Sequence, residues 1–173
     1  MGTVVIREFR SSDTPVLTEL LHRAYAELGA SGLNFTAVDQ SDATTEYRAS
    51  AGHCLIAIDD GQPIATLTMS LPASKTLRSM FPAADSEDVA WLNQMAVDPE
   101  RRGTGLARTL WLEGLAWAIE RGATTIGVDT ALPAEHLIRL YEGWGFERAG
   151  VVHWDGKTYD SAVLLRGANS PVE

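Results

Sequence analysis

The chain has 173 residues, of which 45% are hydrophobic and 21% are charged, and its formal net charge is −9. The length predicts one soluble domain over residues 1–166, with a core large enough to fold without disulfides, and a flexible tail at 167–173. The acidic balance excludes general nucleic-acid binding, and the lack of an apolar run near the roughly 20 residues of a membrane span excludes a membrane helix.

The N-terminal segment alternates strand and helix patterns. It opens with M-G-T-V-V-I-R-E, which lacks the basic-then-apolar order of a signal peptide, so a cytoplasmic location is expected. Thr3–Phe9 predicts a strand. Ser12 or Asp13 then caps a helix that extends to Leu28, and Ser41–Ala51 predicts a weaker helix.

A hairpin and a long connection follow. His53–Asp59 and Gln62–Leu71 are strand patterns joined by Asp60-Gly61, a strong hairpin signal. The only cysteine, Cys54, is expected at a buried strand position, and a covalent route through it is not expected because nothing nearby in sequence activates the thiol. Pro72–Asp88 is predicted to be a long connection, either functional or loosely ordered.

The C-terminal half predicts a parallel strand pair. A strand, a long helix and a second strand follow one another at the spacing of a βαβ unit, and a second amphipathic helix and a terminal hairpin complete the domain. These elements are expected at Trp91–Val97, Gly105–Arg121, Thr124–Asp129, Pro133–Trp144, and Phe146–Trp154 with Thr158–Leu165.

The stretch between the first of these strands and the long helix has the features of a phosphate site. A strand that passes through a glycine turn into a helix presents free backbone N–H groups, and the helix dipole, Arg101 and Arg102 add positive charge. A nucleotide P-loop is excluded because Leu106, rather than lysine, follows Gly105. A dinucleotide fingerprint is excluded because Arg108 stands where its third glycine belongs.

Two segments carry a family resemblance. The segment R-G-T-G-L-A at 102–107 matches the [Q/R]-x-x-G-x-[G/A] signature of the GNAT superfamily of acetyltransferases, and I-R-L-Y-E-G-W-G-F at 138–146 resembles the family's later L-Y-x-x-x-G-F segment. The resemblance implies an α/β (α+β) fold with a mixed, splayed sheet of six to seven strands and helices on both faces. It also implies that acetyl-coenzyme A is wedged between two parallel strands.

By that resemblance, the cofactor contacts are mainly backbone groups. The pantetheine arm would pair with the main chain of Met95, Ala96 and Val97. The pyrophosphate would be held by the N–H groups of Arg102, Gly103, Thr104, Gly105, Leu106, Ala107 and Arg108. A side chain at either glycine would block close approach of the phosphate. The alternative is an ordinary tight turn, and no metal site is expected.

Acetyl transfer to an amine requires a neutral amine, a stabilised oxyanion and a proton for the leaving thiolate. Tyr141 matches the family tyrosine that often supplies this proton, although it could also be a core aromatic residue. Ala134 stands seven residues earlier, where relatives often carry an asparagine that contacts the cofactor, so one hydrogen bond of roughly 0.5–1.5 kcal/mol is absent.

The general base is left open by the sequence. Relatives often place a glutamate in the central strand, but this strand offers only residues that do not titrate usefully: Trp91, Asn93 and Gln94. Alternatives include two carboxylates just before the strand and three histidines, which are Glu87, Asp88, His136, His53 and His153.

We therefore predict an N-acetyltransferase that transfers the acetyl group of acetyl-coenzyme A to a primary amine by direct attack in a ternary complex. The acceptor is a small molecule or a peptide, and a homodimer is an open alternative. A non-catalytic coenzyme A-binding or sensor module, or another kind of nucleotide-binding domain, is the competing hypothesis. Trp91 and Trp154 either line an acceptor pocket or fill the core.

Overall fold

A computed structural model describes residues 2–172. Its strands are β1 (Val5–Glu8), β2 (His53–Asp59), β3 (Gln62–Ser70), β4 (Val89–Val97), β5 (Thr125–Ala131), β6 (Glu147–Val152) and β7 (Ser161–Gly167). Its α-helices are α1 (Thr14–Ala30), α2 (Asp42–Ser50), α3 (Lys75–Met80), α4 (Leu106–Glu120) and α5 (Glu135–Gly143).

The seven strands form one open, mixed sheet in the order β1-β2-β3-β4-β5-β7-β6. The predicted parallel pair is confirmed: β4 and β5 run parallel, from Val89 opposite Thr125 to Trp91 opposite Gly127. The predicted hairpins are confirmed as well, because β2 pairs antiparallel with β3 and β6 pairs antiparallel with β7. The mixed sheet of the fold prediction is therefore present, with seven strands.

The chain forms two compact units, and the first consists of Met1–Met69 with Asn93–Gly114. Its core lies where α1 and α2 pack on the sheet, with Leu17, Leu20 and Leu21 fully buried against Ile56 and its neighbours. Leu55 precedes Ile56 on β2, so Leu55 and its cross-strand partner Leu67 lie on the face of the sheet away from Ile56. On that face Leu67 contacts Gly114 of α4. This unit therefore has helices on both faces of its strands.

The second unit consists of Ser70–Leu92 with Leu115–Glu173. Its core includes Leu77, Val89, Trp91 and Val163, and each of these side chains is at most 4% exposed. Leu77 belongs to α3, which lies inside the connection predicted for Pro72–Asp88.

The expectation of an irregular connection is therefore corrected. Ser74 caps α3 by accepting a hydrogen bond from the N–H of Leu77 at 3.3 Å. Six residues make fewer than two helical turns, which is too short for a 3.6-residue period to show in the sequence. The connection is packed into the core through Leu77 and Ala84, which are 1% and 0% exposed.

The start of α1 differs in one detail from the sequence prediction. Asp13 is the N-cap residue, but its side chain makes no cap hydrogen bond. Its two oxygens instead accept from Nη1 and Nη2 of Arg7, both at 2.8 Å, and one also accepts from the N–H of Arg10. The pKa of Asp13 is lowered, chiefly because of the hydrogen bonds from Arg7.

Among residues 2–172, no helix has the length and apolarity needed to cross a membrane.

Candidate functional site

The turn between β4 and α4 contains two residues in the left-handed region. Gly103 has φ +75° and Gly105 has φ +85°, conformations that glycine adopts without the cost of a Cβ. The turn is built from its own polar groups: the Asp98 carboxylate accepts from the N–H of Glu100 at 3.0 Å, and the Thr104 hydroxyl donates to the Arg101 carbonyl at 2.6 Å.

The backbone N–H groups of this turn are available to a ligand. Within residues 2–172, no protein acceptor meets the N–H groups of Gly103, Thr104, Gly105, Leu106 and Ala107. A Cβ placed on either glycine would meet no atom within 4 Å, so open space lies beside the turn. Five unpaired donors at a helix N-terminus suit a phosphate or pyrophosphate anion. The turn therefore fits the phosphate group that the sequence predicts.

The two arginines of the turn are held by carboxylates. Arg101 Nη2 lies 2.6 Å from Asp59 Oδ2, and Arg102 Nη1 lies 3.1 Å from Glu27 Oε2. Arg102 also donates to the Ala24 carbonyl at 3.0 Å. These contacts fix the turn against β2 and α1. They partly offset the positive charge that Arg101 and Arg102 bring to the turn.

The predicted pantetheine residues occupy the C-terminal half of β4. Ala96 is 5% exposed and packs in the α1 core, whereas Met95 and Val97 on the other face of the strand are partly exposed. The Met95 carbonyl accepts a hydrogen bond of 2.7 Å from the Tyr25 hydroxyl. Burial raises the pKa of Tyr25, so this hydroxyl remains a donor.

Gln94 distorts the strand just before these residues. Its φ of +48° is in the left-handed region, which costs a side-chain-bearing residue roughly 1–3 kcal/mol. Its Oε1 accepts from Gln40 Nε2 at 3.1 Å, and Gln40 also bonds Thr45 and Arg48. The sequence gives no sign of this network, because a backbone kink inside an apolar strand leaves no signal in the residue pattern.

Tyr141 belongs to the second unit, on α5. It is 6% exposed and meets the rings of Trp144 and Phe146 edge-on, with centroids 5.8 and 6.0 Å away. The N–H of Phe146 donates back to the Tyr141 carbonyl at 3.1 Å, and Gly145, at φ +86°, makes this reversal of the chain. The tyrosine is thus rigidly positioned at the end of its helix.

The two carboxylates considered as bases have structural partners. Glu87 pairs with Arg78 at 2.9 Å. Asp88 accepts from the hydroxyls of Ser86 and Thr124, and these hydrogen bonds, with that from Ser86 the stronger, lower the pKa of Asp88. A carboxylate whose ionised form is stabilised in this way is a weaker base.

The histidines divide into one solvated and two paired side chains. His136 is exposed, as its place on the polar face predicts. His53 Nδ1 lies 3.6 Å from the Glu8 carboxylate, and His153 Nδ1 lies 2.9 Å from Asp160. Of the three, only His153 has the close carboxylate partner that would orient a catalytic imidazole.

Cys54 is buried, as predicted, at 4% exposure. Burial raises the pKa of its thiol, which is the opposite of what a nucleophile requires.

Ala134 is also buried and precedes α5 without a side-chain cap. Among residues 2–172, no group of three or more histidine, cysteine, aspartate or glutamate side chains is arranged to hold a metal ion.

Trp91 and Trp154 converge on a residue that the sequence analysis did not single out. The indole Nε1 of Trp91 donates to Asp129 Oδ1 at 2.8 Å, and that of Trp154 donates to Asp129 Oδ2 at 2.7 Å. Trp91 is 1% exposed, so it is a core residue that also has a polar contact. Nothing in the spacing of residues 91, 129 and 154 signals that they meet.

The open mixed sheet, with a glycine turn of unpaired N–H groups between a parallel strand and a helix, defines an α/β protein. The model of the Acetyltransferase (GNAT) family matches residues 16–146. The chain belongs to the GNAT family of acetyltransferases, whose members use acetyl-coenzyme A as co-substrate.

Individual relatives are distant. The chain is 28% identical over 140 residues to the S-(2-succino)cysteine N-acetyltransferase of Bacillus subtilis, a match that covers 80% of this chain and 81% of that protein. It is 28% identical over 113 residues to human N-acetyltransferase 8B, covering 65% of this chain but 46% of that protein. An N-acetyltransferase structure from Staphylococcus aureus superposes with a TM-score of 0.71 at 18% identity, covering 97% of this chain and all (100%) of that one, which supports the fold.

Proposed function

We propose that this protein is an N-acetyltransferase that transfers the acetyl group of acetyl-coenzyme A to a primary amine by direct attack in a ternary complex. The proposal is carried by the array of unpaired N–H groups from Gly103 to Ala107, placed directly after β4 in a chain of this family. Five unpaired donors at the N-terminus of a helix, together with the helix dipole, suit a pyrophosphate.

The residues proposed to hold the cofactor come from two nearby segments of the chain. The backbone N–H groups of 102–108 hold the pyrophosphate, and the main chain of Met95, Ala96 and Val97 pairs with the amides of the pantetheine arm. The hydrogen bonds from Tyr25 to the Met95 carbonyl and from Gln40 to Gln94 fix this part of β4. The bound thioester supplies the electrophilic carbonyl carbon and the thiolate leaving group.

Tyr141 is the proposed proton donor to the leaving thiolate. The proposal is supported by its match to the family's L-Y position and by the rigid setting of α5, where two aromatic rings fix its own ring. A positioned acid contributes typically 10²–10⁴-fold to the rate of such a step. The side chain of Cys54 takes no part, since burial disfavours its thiolate.

The relative from Bacillus subtilis suggests which amine to try first. Its name gives S-(2-succino)cysteine as its acceptor, and the match extends over most of both chains. The proposed acceptor class is therefore the α-amino group of an S-substituted cysteine. Spermidine and a peptide with a free N-terminus represent the small cationic and peptide alternatives.

Thiol release tests the proposal. Purified protein, acetyl-coenzyme A and each of these three amines are mixed, and free coenzyme A thiol is followed with a chromogenic disulfide. Thiol release that depends on an amine, with a matching acetylated product by mass spectrometry, is the expected result. Tight binding of coenzyme A without release for any amine, in a panel widened to other primary amines, supports a non-catalytic coenzyme A-binding or sensor module instead.

A further inference from the structure

Arg166 of β7 is a buried arginine of the second unit, with 4% of its surface exposed. A buried cation is stable only when its N–H groups find acceptors. The guanidinium of Arg166 donates to three backbone carbonyls: Nη1 to Trp144, Nη2 to Ser170 at 2.5 Å, and Nε to Gly167 at 3.1 Å. The side chain therefore joins the end of α5 to the chain that follows β7.

The contact with Trp144 is made at the C-terminal end of α5, where Trp144 is the C-cap residue. The last carbonyls of a helix lack partners within the helix and carry partial negative charge, so a guanidinium stabilises them. Gly145 comes next, at φ +86°, and a Cβ on it would lie 3.4 Å from Arg166 Nη1. The guanidinium thus packs against the reversal of the chain after α5.

The residues of this reversal also fix Tyr141. The N–H groups of Trp144 and Phe146 donate to the Tyr141 carbonyl at 2.9 and 3.1 Å. Their rings contact the ring of Tyr141, with centroids 5.8 and 6.0 Å away. Arg166 holds the carbonyl of Trp144, and Trp144 in turn contacts both the backbone and the ring of Tyr141. A shift at Arg166 therefore reaches Tyr141 through one residue.

The chain that follows β7 holds the other side of the guanidinium. The N–H of Ala168 donates to the Thr124 carbonyl at 2.9 Å, and Ala168 is 1% exposed. The N–H of Ser170 donates to the Gly167 carbonyl at 3.2 Å, which closes a turn. The Ser170 carbonyl that accepts from Arg166 is therefore tied to the start of β5. The guanidinium has this anchor on one side and the end of α5 on the other.

We propose that Arg166 is a positioning residue: it fixes the end of α5 so that the hydroxyl of Tyr141 is held in place to protonate the leaving thiolate. This role rests on the proposed function, in which Tyr141 is the proton donor. The O–H bond of Tyr141 breaks as the S–H bond of coenzyme A forms, and the tyrosinate recovers a proton that the amine nitrogen releases as the amide forms. Arg166 exchanges no proton. A misplacement of about 1 Å in a reacting group costs roughly 10²-fold in rate, so a loosened α5 slows this step.

A second arginine contacts the same helix from outside and provides the control. Arg148 of β6 donates to the carboxylates of Glu142 and Glu135 at 2.9 and 3.0 Å. These three side chains are 39–49% exposed, so their ion pairs contribute little to stability. Arg148→Lys makes the same chemical change against the same helix and leaves the contact with the Trp144 carbonyl in place.

The test compares Arg166→Lys with Arg148→Lys in the thiol-release assay, well below the melting temperature of each protein and with whichever primary amine the wild type acetylates. Lysine keeps the charge, but its ammonium cannot reproduce the guanidinium fork that reaches three carbonyls. Arg166→Lys is expected to lower kcat by roughly 10- to 100-fold, while calorimetry shows unchanged affinity for coenzyme A. Arg148→Lys should change neither value. Arg166→Gln, which avoids the cost of a buried charge, is the second variant and should show the same loss of kcat.

A double-mutant cycle separates positioning from a general loss of structure. With Tyr141→Phe already in place the hydroxyl is absent, so adding Arg166→Lys should lower kcat no further. An equal loss in both backgrounds, or no loss from either variant of Arg166, overturns the role of Arg166 alone. An active wild type whose kcat is unchanged by Tyr141→Phe removes both residues from the mechanism. A wild type that releases no thiol with any amine overturns the proposed function and this role with it.

Discussion

Replacing Gly105 with alanine separates the backbone strain of the turn from its role in holding phosphate. At φ +85° a Cβ costs roughly 1–2 kcal/mol, and no neighbouring atom lies within 4 Å to add a clash. For a domain of this size, that lowers the melting temperature by about 2–8 °C. Gly122, at φ +89° and equally open, follows α4 at the far end from the turn, so Gly122→Ala carries the same strain as a matched control.

The two variants differ in what they do to the cofactor. A Cβ at residue 105 would enter the open space beside the turn, where the account places the phosphate, and losing one hydrogen bond to a charged phosphate costs about 1.5–3 kcal/mol. Calorimetry should therefore show coenzyme A binding weakened roughly tenfold to hundredfold for Gly105→Ala, and unchanged for Gly122→Ala. Equal affinities for both variants and the wild type would refute the assignment of the turn.

Two further substitutions test the catalytic acid and the N-terminal ion pair. Tyr141→Phe should lower kcat by roughly 10²-fold or more while calorimetry shows unchanged affinity for coenzyme A; an unchanged kcat removes Tyr141 from the mechanism. Asp13→Asn should lower the free energy of unfolding at pH 7 by about 1–3 kcal/mol, because it breaks the paired hydrogen bonds with Arg7. Since folding lowers the pKa of Asp13, its stabilisation is present above about pH 4 and is lost as the pH falls through the lowered value. Urea denaturation should thus show the difference between the two proteins shrinking as the pH falls below about 4, and a gap of constant size would contradict this account.

The sequence predicted the parts of the fold that depend on local patterns. The hairpin between β2 and β3 follows from Asp60-Gly61, and the parallel pair of β4 and β5 follows from strand–helix–strand spacing; both are present. Helix α3 was missed because its six residues are too few to show a period. The glycine turn was recognisable because glycine is needed there for its backbone conformation, which a sequence displays directly.

The parts of the site that depend on distant side chains were beyond the sequence. Asp129 meets Trp91 and Trp154 across 38 and 25 residues of chain, and no pattern links them. The sequence assigns the charges of Arg101 and Arg102 to a phosphate, whereas the structure pairs them with Asp59 and Glu27. Partner choice among charged side chains is decided by packing, which composition does not reveal.

Amide resonances report most directly on the central claim, that backbone N–H groups after β4 hold the pyrophosphate of coenzyme A. In a titration of ¹⁵N-labelled protein with coenzyme A, the account predicts large downfield proton shifts for Gly103 and Gly105, because their N–H groups gain a charged acceptor. Gly122 and Gly156 have the same left-handed backbone in open space elsewhere and should stay in place. Saturable binding that leaves Gly103 and Gly105 unmoved would contradict the account.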